Sequence, residues 1–210
     1  LSAYDDLIEN NNRRIELLEK SAQELYKEWF VRFRFPNYRT TEFEKGLPKG
    51  WEVVKVKKVV KRLSFGKLYK EPELFSDGQV IVIDQSQKEY LGFHNDEPSH
   101  KATISKPIIL FGDHSCKMQL MVKDFSLAEN VVPFIAQDNN SIVFLYYLVN
   151  SLIETSEYKR HWTDFMSKKV LLPWISLQLE FEKITSEFVL QKNNLVEQNR
   201  NLIKQRDMLL

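Results

Sequence analysis

All 6 glycines and 7 prolines of this 210-residue chain fall between Pro36 and Pro173. Residues 1 to 34 and 175 to 210 contain neither. Both ends are therefore predicted to be long, unbroken helices, and the punctuated middle must hold the compact part of the molecule.

The first helix carries a countable coiled-coil pattern. Tyr4, Ile8, Asn11, Ile15, Leu18, Ala22, Leu25 and Trp29 alternate in steps of four and three, and only Asn11 is neither apolar nor aromatic. A lone asparagine at such a position fixes register at some expense in stability, which points to a specified partner helix. The last helix offers Phe181, Ile184, Phe188, Gln191, Leu195, Gln198, Leu202, Gln205 and Leu209, a seam in which glutamine alternates with apolar residues. Val189, Val196 and Ile203 widen its apolar stripe. At ~1.5 Å per residue each helix would span on the order of 50 Å, so the two can lie side by side. The segment Leu7-Ile8-Glu9-Asn10-Asn11 followed by Ile15 is echoed by Leu195-Val196-Glu197-Gln198-Asn199 followed by Ile203, either by chance or as a duplicated element.

Between the helices, Trp51 to Val60, Val80 to Ile83, Lys106 to Phe111 and Leu120 to Val122 are rich in Val, Ile and Leu and read as strands. Asp77-Gly78 and Gly112-Asp113 read as turns, and Ser141 to Leu152 as a helix buried on most sides. The predicted architecture is α+β: a mixed α/β domain flanked by two long helices that form an antiparallel coiled-coil pair.

The formal net charge of +1 attracts no polyanion, but the charge is sorted. Lys45 to Lys70 holds nine bases against the single acid Glu52, and Glu71 to His100 holds seven acids against Lys88. Near-neutrality therefore conceals a basic stretch of the kind phosphate backbones attract. The single cysteine, Cys116, allows no intramolecular disulfide or Cys-rich zinc site and points to a reducing compartment. The most apolar stretch, Ser141 to Val149, is far short of the roughly 20 residues of a membrane span. The first residues carry no basic signal-peptide start, and a first residue other than methionine suggests a trimmed or processed segment.

Catalytic and cofactor chemistry has little support. Gly66-Lys67-Leu68 lacks both the upstream glycine and the hydroxyl residue of a phosphate-binding loop, and no G-x-G-x-x-G follows a predicted strand. His94, His100, His114 and His161 lack metal-ligand spacing. His114 and Cys116 could serve a hydrolase only with an orienting group that the sequence does not supply, and Cys116 reads better as a small core residue. No catalytic residue, metal or cofactor is expected.

Four stretches of the chain resemble one half of the DNA-specificity subunit of type I restriction-modification systems. The segment from Glu24 to Pro36 (ELYKEWFVRFRFP) is similar to the end of that family's central helix, and Leu47-Pro48-Lys49-Gly50-Trp51 to the opening of a target-recognition domain. Phe65-Gly66-Lys67, Ile83-Asp84-Gln85-Ser86 and Phe111-Gly112-Asp113-His114-Ser115 resemble signatures within such a domain. Tyr158-Lys159-Arg160-His161, Leu172-Pro173 and Gln205 to Leu210 resemble its exit and the distal helix. Each motif is weak alone; their order is specific. The resemblance implies a conserved helix over 1–35, a linker over 36–50, a recognition domain over 51–173 and a distal helix over 174–210. It departs from the family in holding a single recognition domain, as a half-subunit that pairs with a second copy or as a fragment.

What the resemblance implies is a cytoplasmic, non-catalytic subunit that reads one half of a bipartite site on double-stranded DNA. Its partners would be the modification (methyltransferase) subunits and the restriction subunit. The different-class alternative is a coiled-coil interaction module without sequence-specific DNA binding. Base reading needs paired donors and acceptors on loops, which singles out Gln85, Ser86 and Gln87 after one strand and His114 and Ser115 after another. Phosphate contact would fall to Lys67, Lys70, Lys101, Lys117, Lys168 and Lys169. Subunit contact would fall to Leu195, Val196, Leu202 and Ile203, while Trp29 and Phe33 read as core.

Overall fold

The computed structural model describes residues 2–150, 152–153 and 160–209. Tyr158 and Lys159 of the exit motif, and Ser151 of the predicted central helix, lie outside them. The chain forms two compact units, Leu1–Lys49 with Glu180–Leu210, and Gly50–Leu179.

In the first unit, α1 (Ser2–Tyr26) continues into a π-helical turn, Lys27–Val31. Its seam is as predicted: Asn11 and Ala22 are buried, and Tyr4, Ile8, Ile15, Leu18 and Leu25 are half-buried. The wider π turn lets the consecutive residues Trp29 and Phe30 both be buried, which a 3.6-residue period does not allow on one narrow seam. The helix stops there rather than running to residue 34, because Phe33 takes a left-handed φ of 56°. A small hairpin follows, β1 (Phe43–Glu44) paired with β2 (Leu47–Pro48).

The partner helix α4 (Ile175–Asp207) contributes its residues from Glu180 onward to this unit. The two helices run antiparallel, as predicted: Arg206 donates to Asp5 at 2.8 Å, Asn11 to Asn199 at 2.8 Å, and Lys192 pairs with Glu19. The seam of α4 differs from the predicted one at every second position. Ile184, Gln191, Gln198 and Gln205 are exposed, and the inward positions are Thr185, Lys192, Asn199 and Arg206, alternating with Phe181, Phe188, Leu195 and Leu202. Each of the four polar side chains finds a hydrogen-bond acceptor, on α1 or, for Thr185, on Phe181 O at 2.8 Å, so satisfied polar groups displace an apolar isoleucine from the seam.

The second unit is α+β. Its strands are β3 (Glu52–Lys55), β4 (Val60–Arg62), β5 (Val80–Ile83), β6 (Gly92–His94), β7 (Ile108–Gly112), β8 (Met118–Met121), β9 (Phe125–Leu127), β10 (Val131–Ala136) and β11 (Lys169–Leu172), with α2 (Ile142–Val149) and α3 (Trp162–Ser167) before the last. They form three sheets, ordered β4-β10-β7-β8, β6-β5-β9 and β11-β3. All pairings are antiparallel except β5 with β9.

β7 divides the core. Its alternating side chains send Ile109 and Phe111 to a cluster with Phe134, Leu145 and Phe165, and Ile108 and Leu110 to a second with Ile81, Phe93, Phe125 and Leu127. A strand buried on both faces reads as an unbroken apolar run, which is why this segment was recognisable. The predicted strand Trp51 to Val60 is instead broken by a 3₁₀ turn at Val56–Lys58, where fully buried Val56 donates its N–H to Lys168 O at 2.9 Å. β10 is masked in sequence by Pro133, which ordinarily excludes a central strand. The carbonyl of Pro133 faces Leu63 N at 2.9 Å, just past the end of β4, so its missing donor faces the point where that ladder stops.

Candidate nucleic-acid interface

The loop after β5 and the turn after β7 are far apart in sequence and meet in space. Gln85 Oε1 accepts a hydrogen bond from His114 N at 3.0 Å. Their approach depends on Gly112: a Cβ there would lie 2.4 Å from Ser115 Oγ and 3.0 Å from Gln85 Cβ. All five residues singled out for base reading, Gln85, Ser86, Gln87, His114 and Ser115, thus sit on two converging loops.

The loop from 84 to 89 is held from within and from below. The Asp84 carboxylate accepts from Ser86 N at 3.2 Å and Ser86 Oγ at 2.8 Å, and Ser86 Oγ accepts from Lys88 N at 3.2 Å. Such side-chain to backbone turns fix a loop locally. Lys117, at the foot of β8, donates its ammonium to Ser86 O at 2.6 Å and to Lys88 O, and Gln119 Nε2 donates to Glu89 O at 3.3 Å. Burial pushes the Lys117 ammonium below the usual lysine range, against the opposing pull of Asp84 and Glu89. A half-buried ammonium clamped on two carbonyls supports a loop, and it is poorly placed to meet a phosphate from solvent.

The five base-reading candidates therefore differ in role. Gln85 is bonded across to His114 N, Ser86 is engaged within its own loop, His114 is half-buried, and Ser115 Oγ accepts from Lys117 N at 3.3 Å. Gln87 lies between the two carbonyls that Lys117 holds, is exposed, and makes no side-chain hydrogen bond among the described residues. Its carboxamide is the one presented to solvent on a fixed backbone.

Beside these loops the buried Asp113 carboxylate secures α3. It accepts from His161 N at 3.1 Å and Trp162 N at 2.9 Å, with Arg160 at 3.8 Å. Sequence reasoning gave Asp113 turn chemistry alone; its partner backbone is too distant in the chain to be read from a motif.

The remaining phosphate candidates are placed by different elements. Lys67 is in an ion pair with Asp96 at 2.7 Å and lies over the Tyr69 ring, 4.5 Å from its centroid. Lys70, Lys101, Lys168 and Lys169 are exposed. Of the subunit-contact candidates, Leu195 is buried in the helical seam, Val196 and Leu202 are half-buried, and Ile203 is exposed.

Tyr69 stacks on buried His94 at 4.0 Å between centroids. His94 Nδ1 accepts from Asp96 N at 3.1 Å, so Nε2 carries the proton and donates to Ser126 Oγ at 2.9 Å. Burial lowers the proton affinity of His94, and likewise of His100, below the ordinary imidazole value. The unfolded chain then takes up protons that the fold refuses: stability is complete above about pH 6.5 and declines as pH falls below it. A thermal midpoint that drops between about pH 7.5 and 5 is expected, with a shallower drop in His94→Asn; identical slopes would show that His94 does not contribute.

No protein-family model matches the chain. It is 27% identical to the MjaIX type I restriction enzyme specificity subunit of Methanocaldococcus jannaschii, over an alignment that takes in 100% of this chain and 55% of that protein. It is 35% identical over 87 residues to the MjaVIII specificity subunit of the same organism, 40% of this chain and 20% of that one. The crystal structure of the type I restriction-modification S subunit from M. genitalium matches its fold with a TM-score of 0.68 at 15% identity, covering 99% of this chain and 57% of that one. The chain is thus similar along its whole length to a type I restriction specificity subunit, and it spans about half the length of that MjaIX protein.

Proposed function

We propose that this chain is a non-catalytic, DNA-reading component of a type I restriction-modification complex, with its second unit reading one half of a bipartite target on duplex DNA. The observation that carries the reading is the pair of converging loops, which hold Gln87 exposed on a backbone fixed by Lys117. A glutamine carboxamide offers one donor and one acceptor at the spacing of the adenine major-groove edge, and such a pair discriminates by ~1 to 3 kcal/mol. The resemblance and the relatives' names support the rest. The paired helices would dock the modification and restriction subunits, and the second half of the target would be read by another recognition domain, on a longer chain or a second copy. A cytoplasmic location goes with that role. No helix among the described residues is long and apolar enough to cross a membrane.

Selection from a randomised duplex library tests the reading. Wild type is expected to enrich one short sequence, and Gln87→Ala to relax the preference at one base pair by roughly 10- to 100-fold. Lys117→Gln, which leaves Gln87 in place and removes its support, is expected to blur the same position. Enrichment of no sequence by wild type would leave the helical pair as the functional part and favour the protein-interaction reading.

A further inference from the structure

Five lysines from two distant stretches of the chain converge on the β3-β11 sheet. The antiparallel register sets Lys169 directly opposite Lys55, and the bond from Val56 N to Lys168 O places Lys168 against the 3₁₀ turn that carries Lys57 and Lys58. All five are exposed, and among the described residues none forms an ion pair. Elsewhere Lys27, Lys49, Lys67 and Lys192 each meet a carboxylate. Side chains alternate along a strand, so Glu52 stands on the opposite face of β3 from Lys55, and Lys168 on the opposite face from Lys169; the five lysines gather at one end of the strand pair.

Like charges facing each other across a strand pair destabilise it. Surfaces that serve only solubility intersperse the two signs, so a facing lysine pair with three further unpaired lysines beside it is an energetic defect unless something anionic covers it. We propose that Lys55, Lys57, Lys58, Lys168 and Lys169 form a contact surface for the phosphate backbone of duplex DNA. This rests on the DNA-reading function proposed above and adds to it a positioning surface distinct from the reading loops. Lys55, Lys57 and Lys58 join Lys168 and Lys169 here only through strand pairing. Ammonium groups suit the task, since phosphate contacts need charge and carry no sequence information.

The test measures binding of a 20-base-pair duplex of arbitrary sequence across a salt series. Each phosphate contact contributes about 0.9 to the slope of log affinity against log salt. The variant K55Q/K57Q/K58Q/K168Q/K169Q is expected to flatten that slope by about 3 to 4 and to weaken binding at least about 100-fold near 0.1 M salt. A control with the same loss of net charge in the first unit, K20Q/K27Q/K49Q/K183Q/K204Q, is expected to change the slope by less than about 1. The pair variant K55Q/K169Q is also expected to raise the thermal midpoint at low salt, the opposite of what a structural role would give. An unchanged slope in the five-lysine variant overturns the patch and leaves the DNA-reading function standing. Absence of any duplex binding by wild type at low salt overturns both.

Discussion

Phe181→Ala is expected to unfasten the helical pair. Phe181 is fully buried, with the rings of Phe30, Trp29 and Tyr26 centred 5.3, 6.0 and 6.2 Å away. Removing a buried phenylalanine costs ~3 to 5 kcal/mol when the surroundings cannot collapse. Phe181 is the side chain of α4 around which Trp29 and Phe30 pack, and beyond that cluster the buried positions along α1 and the unit's part of α4 are small or polar, such as Ala22, Asn11, Thr185 and Asn199, apart from Leu195. In a unit of this size that loss lowers the melting point of the helical signal by more than about 10 °C. Circular dichroism at 222 nm should show it, with Phe181→Leu retaining most of the stability because it keeps most of the buried volume. An Ala variant that melts like wild type would place the pair's stability elsewhere along the seam.

The asparagine layer gives the second large effect, with a change of sign between single and double variants. Asn199 accepts from Asn11 Nδ2 at 2.8 Å and donates to Asn12 Oδ1 at 2.8 Å. Asn199→Leu leaves the buried Asn11 amide without its partner, which costs roughly 1 to 3 kcal/mol. Asn11→Leu/Asn199→Leu removes donor and acceptor together and places two leucines in the seam, so it is expected to be more stable than either single variant and at least as stable as wild type. What the double variant loses is the constraint on register. A double-mutant cycle by urea unfolding measures the coupling, and a strictly additive cycle would show that the layer is not a paired unit.

These two sites also show what a sequence can disclose. The α1 seam is plain because seven of its eight positions are apolar or aromatic. The α4 seam is ambiguous, since Phe181 can be followed inward by Ile184 or by Thr185 and hydrophobicity alone chooses the wrong one. The choice is made by partners on α1 that no local pattern contains. β7 declares itself by its apolar run, and β10 conceals itself behind Pro133, whose acceptability depends on where a neighbouring strand ends. The two converging loops are legible as polar clusters after apolar strands. Which side chain they present is not, because Gln85 is claimed by an amide 29 residues later in the chain and the backbone around Gln87 by Lys117. The lysine patch is half visible, as a basic run around Lys57, and is completed only by the pairing of β11.

The Asn11–Asn199 contact has a symmetry to it. The two asparagines hold the same place in the two echoed segments, so each meets its own counterpart, as residues do on a two-fold axis. Such a layer cannot by itself distinguish one helix from the other, and would equally accept two copies of α4. The charges on either side break the tie. Lys192 and Arg206 lie seven residues before and after Asn199, so two α4 helices in this register would set lysine against arginine twice, whereas α1 offers Glu19 and Asp5. The polar layer sets the alignment of the helices, and the flanking ion pairs set their identity.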